Sequence, residues 1–136
     1  MPELLGVHHV ALTVTDVDRS VPWYERVLGF AEVGRADDDE QNLRRVFLRG
    51  HGLGITLTLV QHLTAERAGF DAGRPGLDHL TFTVAGPSSL VAWTERLTEH
   101  GVTFSPVTEE PSAPGTSVVT LRDPDGIQLV LWAGQA

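Results

Sequence analysis

Cysteine is absent from the whole chain, which excludes disulfides, thiol catalysis and thiolate metal ligation. Lysine is absent too. All ten basic residues are arginine, so Schiff-base chemistry on a lysine side chain is excluded as well. Positive charge is scarce. Eighteen acidic residues against ten arginines leave a net charge of −8, which repels a phosphate backbone, and no nucleic acid partner is expected. No apolar run is long enough to cross a bilayer, and the opening MPELLGVHHV lacks the layout of a secretory signal. The expectation is a soluble, cytoplasmic protein with no membrane partner. With 136 residues, 41% of them hydrophobic, the chain fits a single domain over 1–136 with a proper core.

What is present is a repeat. HHVALTV (8–14) returns as DHLTFTV (78–84), an offset of 70 that places His9 over His79 and Leu12 over Phe82. Trp23, Glu25 and Arg26 meet Trp93, Glu95 and Arg96 at the same offset. After each helix the offset becomes 72. Gly29 then meets Gly101, and LTLV (57–60) lies over LVLW (129–132). Two modules follow, about 5–62 and 77–133, with a linker at about 63–76.

Each module opens on a strand. Val10, Leu12 and Val14 alternate with His9, Ala11 and Thr13, and Leu80, Phe82 and Val84 alternate with His79, Thr81 and Thr83. Helices come next. The first runs from about Asp18 to Leu28, capped by Asp16 or Asp18, with Pro22 near its first turn. The second opens at Gly86-Pro87 and stops at Gly101, with His100 at its negative end. Two hairpins close the modules: 43–49 with 55–61, and 117–121 with 127–132 across the Asp-Pro-Asp-Gly turn. ADDDEQN (36–42) reads as an exposed charged loop, and 105–115 as a solvated connection or a lid. The fold class is α+β, two βαβββ modules.

HHVALTVTDVDRSVPWYERVLGF, GLDHLTFTV and RDPDGIQLVLW together resemble the vicinal oxygen chelate superfamily of glyoxalases, bleomycin resistance proteins and extradiol dioxygenases. The resemblance spans almost the full chain. It implies that the modules curl into a mixed β-sheet cup with the helices on its outer face, and that a homodimer is to be expected. It also implies metal ligands on the first and last strand of each module. The first-strand positions are His9 and His79. The last-strand positions, usually glutamate, are Thr58 and Val130. Valine cannot ligate or move a proton, and a neutral threonine hydroxyl is a poor ligand. His62, Gln128, Glu109 or Glu110 would have to supply a replacement.

Two functions compete, beside a third option, a metal-free enzyme in which His9 or His79 is the acid–base group. One is a metal-independent protein, similar to the bleomycin resistance proteins, that sequesters or carries an aromatic or polycyclic small molecule without a cofactor. Its ligand contacts would come from His9, Phe47, Thr58, His79, Val130 and Trp132, with Phe47 and Trp132 otherwise read as core packing. The other is an enzyme of the same superfamily, a glyoxalase-like lyase or isomerase or a dioxygenase. It would hold a divalent metal (Fe, Mn, Ni or Zn) on His9 and His79 with a non-standard third ligand. His8 is given no role. Arg45 and Arg49 steer an anionic ligand if they share a face with Phe47, and are solvated edge-strand charges otherwise.

Overall fold

The structure, a computed structural model, describes residues 1–64 and 68–134. The chain divides into two compact units, Met1–Ala68 and Gly69–Ala136. Part of the expected linker, residues 65–67, lies outside the described residues.

In the first unit the order is β1 (His9–Thr13), α1 (Val17–Leu28), β2 (Phe30–Asp38), β3 (Leu43–Gly50) and β4 (Thr56–His62). The four strands form one sheet in the order β1-β4-β3-β2, with β1 parallel to β4 and the other pairs antiparallel. Leu12, Val46, Leu48, Leu57 and Leu59 are buried on the face that takes α1. The helix answers with a stripe at helical spacing, Val17, Ser20, Val21, Tyr24 and Val27. Tyr24 is fully buried and meets Phe30 edge-on at 6.0 Å.

Asp16 is the N-cap of α1, its carboxylate accepting the Asp18 N–H at 2.9 Å. Gln61, buried at the end of β4, accepts the Val17 N–H through Oε1 at 3.0 Å and so ties the helix start to the sheet. Gly29 ends the helix at φ 76°, in the left-handed region that favours glycine, and donates its N–H to Glu25. Pro22 departs from expectation. It lies in the second turn, inside the helix, so the Asp18 carbonyl loses its intrahelical donor. Pro22 and Asp18 are both exposed.

The second unit repeats the plan with β5 (Leu80–Val84), α2 (Pro87–Glu99), β6 (Thr108–Glu109), β7 (Ser117–Arg122) and β8 (Gln128–Ala133). Its sheet runs β5-β8-β7-β6, again with one parallel pair, β5 and β8. At the end of α2, Gly101 at φ 67° donates to Thr98 and Val102 donates to Leu97, a double closure of the last turn. The Asp-Pro-Asp-Gly turn is built around the buried Asp123. Its Oδ1 accepts the N–H groups of Asp125 at 2.9 Å and Ile127 at 2.8 Å, while Gly126 takes φ 81°.

The sliding offset of the repeat reappears in strand pairing. Val10 faces Leu57 and Leu80 faces Leu129, so strands displaced by 70 and by 72 meet in one register. One expectation needs correction. Residues 36–38 of the charged segment belong to β2, which pairs with β3 through Asp38 and Leu43. The 105–115 segment is mostly exposed, as a solvated connection would be, and is anchored by backbone N–H groups: Ser105 donates to Thr120, β6 pairs with β7, and Glu110 donates to Thr116. Among the described residues no helix is long and apolar enough to cross a membrane.

Candidate functional site

Directly paired residues in a sheet point to the same side, so the registers sort the site residues by face. In the first unit the face away from α1 carries three rows. His9, Thr56 and Arg49 form one, and Ala11, Thr58, Phe47 and Gly34 the next. Thr13, Val60, Arg45 and Ala36 form the third. His9, Phe47 and Thr58 are therefore brought to one face. Phe47 lies over Gly34, where a Cβ would stand 3.4 Å from the ring, and it remains half-buried. Thr58 is only 4% exposed, whereas His9 is open to solvent.

Arg45 and Arg49 flank Phe47 on the same strand and the same face. Their strand β3 lies between β4 and β2, so they are not edge-strand charges. Arg45 donates through Nε to the Ala36 carbonyl at 3.4 Å. Among the described residues neither Arg45 nor Arg49 meets a carboxylate. The arginines of the opposite face behave differently. Arg44 reaches Asp18 at 3.5 Å, and Arg35 reaches Asp18 at 3.7 Å and Glu32 at 2.9 Å. The Arg35 hydrogen bond holds the Glu32 carboxyl below its ordinary value, and the same bond raises the Arg35 guanidinium.

In the second unit Thr81, Val130 and Thr120 form one row, and Thr83, Trp132, Val118 and Thr108 the next. Val130 and Trp132 share the face opposite the buried Leu129 and Leu131. His79 stands one residue ahead of β5 and is exposed.

The preceding residue engages both histidines. Nδ1 of His79 lies 2.7 Å from Oδ1 of Asp78, so the ring donates there and its neutral form turns the Nε2 lone pair outward. Nδ1 of His9 lies 2.9 Å from Nδ1 of His8, one ring donating to the other. The contacts of His8 and Asp78 with these histidines were not anticipated from the sequence. The signal was present, because the offset of 70 that pairs His9 with His79 also pairs His8 with Asp78.

The donor set does not fit a chelated divalent ion. Thr58 and Val130 occupy equivalent positions, opposite Ala11 and Thr81, and neither offers a charged ligand. The substitutes are badly placed. His62 is six residues along β4 from Thr56, the partner of His9, which is roughly 20 Å. Glu109 pairs with Ser117 and so falls on the face away from Val130. Glu110 is occupied by Ser112, whose hydroxyl donates to it at 2.8 Å. Gln128 pairs with Arg122 and carries a neutral amide. Among the described residues no three histidine, aspartate or glutamate side chains gather as a metal would need.

Known proteins share this architecture. A glyoxylase/bleomycin resistance protein/dioxygenase domain from Frankia sp. EAN1pec superimposes with a TM-score of 0.86 at 35% identity, covering 98% of this chain and all of that one. Glyoxylase I 4 of Arabidopsis thaliana is 26% identical over 126 residues, 93% of this chain and 69% of that protein. MhqA of Bacillus subtilis (strain 168) is 27% identical over 131 residues; the match covers 96% of this chain and 40% of that protein, so the chain spans well under half of this relative. One family profile matches residues 6–131, the span that holds both sheets and both histidines, and by it the chain belongs to the Glyoxalase/Bleomycin resistance protein/Dioxygenase superfamily.

Proposed function

We propose that the protein binds an aromatic or polycyclic small molecule without a metal, in the manner of the bleomycin resistance branch of its superfamily. One observation carries this reading: Thr58 and Val130 hold the equivalent last-strand positions where the family resemblance implies carboxylates. The first unit offers Phe47 as an aromatic surface, with Thr58 and His9 as polar contacts on the same face. The second offers Trp132 and Val130 on one face, and the Nε2 of His79.

A second reading is favoured by the Asp78–His79 hydrogen bond. A histidine with its tautomer fixed is suited to acid–base work, and a metal-free enzyme would use His79 in that way. A chelating enzyme on His9 and His79 lacks its third ligand among the residues described above.

Calorimetric titration of chelator-stripped protein with Fe(II), Mn(II), Ni(II) and Zn(II) under anaerobic conditions tests the first reading. The expected result is no stoichiometric binding by any of the four. Tight one-to-one binding, lost in both His9→Ala and His79→Ala, would overturn it in favour of the chelating enzyme.

A further inference from the structure

Carboxylates outnumber arginines in this chain, so an arginine side chain has anionic partners to spare. Ten arginines face eighteen carboxylates. Arginines in such a protein find carboxylates readily, as Arg35 and Arg44 do on the helix-side face of the first sheet. Arg45 and Arg49 are on the same pair of strands yet meet none among the described residues. Their placement is specific. Each is two residues from Phe47 on β3, so the three side chains share a face, with the guanidinium stems rooted about 7 Å either side of the ring.

Protection of a sheet edge does not explain two charges on an inner strand. Nor does the neighbourhood neutralise them. In their own rows the neighbours are Thr56, His9 and Ala31 for Arg49, and Val60, Thr13 and Ala36 for Arg45. Asp38 lies on this face one row beyond Arg45, opposite Leu43. Its Oδ1 accepts the Gln41 N–H at 3.0 Å within the turn. The face thus combines one phenyl ring, two guanidinium groups, the hydroxyls of Thr13, Thr56 and Thr58, the His9 imidazole, and one carboxylate, Asp38, that neither arginine meets. A guanidinium fork matches a carboxylate, and the ring matches a flat π-surface.

We infer that the ligand is a planar aromatic carboxylate, its ring stacked on Phe47 and its acid group held by Arg45 or Arg49. The inference rests on the small-molecule-binding reading above and narrows it to one charge class.

The test compares two ligands of the same shape, 2-naphthoate and the neutral 2-naphthamide, by calorimetry on chelator-treated protein. Naphthoate binds about tenfold or more tightly than naphthamide, and the preference shrinks as salt is raised. In the Arg45→Gln/Arg49→Gln double variant the two ligands bind alike, at the affinity the wild type shows for naphthamide. The Arg35→Gln/Arg44→Gln double variant, on the opposite face, keeps the full preference and controls for net charge. A circular dichroism spectrum and thermal midpoint matching the wild type establish that the double variant is folded. If it is not folded, the single variants Arg45→Lys and Arg49→Lys, each expected to lose part of the preference, replace it.

Equal affinity for both ligands in the wild type, no binding of naphthoate, or a preference that survives the double variant would each overturn the inference. Binding of naphthamide alone would overturn the charge class and leave the metal-independent reading standing. Stoichiometric metal uptake in the separate titration would bring down that reading instead.

Discussion

Ser20 turns its hydroxyl into the packed interior beneath α1, and among the described residues that hydroxyl has no hydrogen-bond partner. A buried unsatisfied hydroxyl costs about 1–3 kcal/mol, and alanine is the better helix former by a few tenths more. Ser20→Ala should therefore raise stability by about 1 kcal/mol, read as a higher urea midpoint at unchanged slope. A lower midpoint would mean that the hydroxyl is satisfied in solution. A different single-residue effect operates at Asp78, where the carboxylate fixes which ring nitrogen of His79 carries the proton. Long-range 1H–15N spectra of the neutral imidazole should show Nδ1–H in the wild type. Asp78→Ala should shift the population toward Nε2–H, the outcome that a hydrogen bond without influence on the tautomer would not give.

The residue scale also shows where sequence reasoning reached its limit. Phe47 could be placed on a strand by alternation. Which face that strand turned toward His9 depended on a register between segments far apart in the chain, and period-2 alternation carries no register. Asp78 and His8 were visible in the repeat, yet their role lies in a side-chain hydrogen bond that spacing alone does not reveal.

Among the elements, α1 carries an anomaly. Pro22 in its second turn removes one backbone bond, and a proline well inside a helix costs about 3 kcal/mol in general. Because position 22 is exposed, alanine fits there and restores a donor for the Asp18 carbonyl. Pro22→Ala should raise the thermal midpoint, by the equivalent of about 1–2 kcal/mol once the unfolded chain's regained freedom is subtracted. An unchanged or lower midpoint would show that the ring makes packing contacts worth as much as the lost bond.

The elements that sequence reasoning located share one property, which is periodic burial. Both helices, β1, β4, β5 and β8 alternate or stripe because one side of each is pressed against a core. β2 escaped because most of its residues are exposed and a bulge between Glu32 and Gly34 breaks the period. β6 escaped because two residues cannot display a period at all.

For the whole molecule, duplication is the governing fact. Two units with the same strand order and the same matched register account for nearly every described residue. Family membership was legible because three motifs distributed along the chain agree, and the profile match over residues 6–131 rests on that same span. The activity was not legible, because the positions that usually declare it hold Thr58 and Val130. A departure from a pattern says which chemistry has no residue to perform it and leaves the ligand to be read from the faces that remain.

The strand order has a kinetic consequence. In each unit the first strand made is held by the last, β1 by β4 and β5 by β8, in the sheet's single parallel pairing. The antiparallel meander between them is assembled from neighbours in sequence. As the ribosome releases the chain, hairpins can form early, while β1 must wait beside them until nearly a full unit has emerged. The strand bearing His9 is thus expected to dock last in its unit, after a long loop has closed, which makes that closure the costly step in chain entropy.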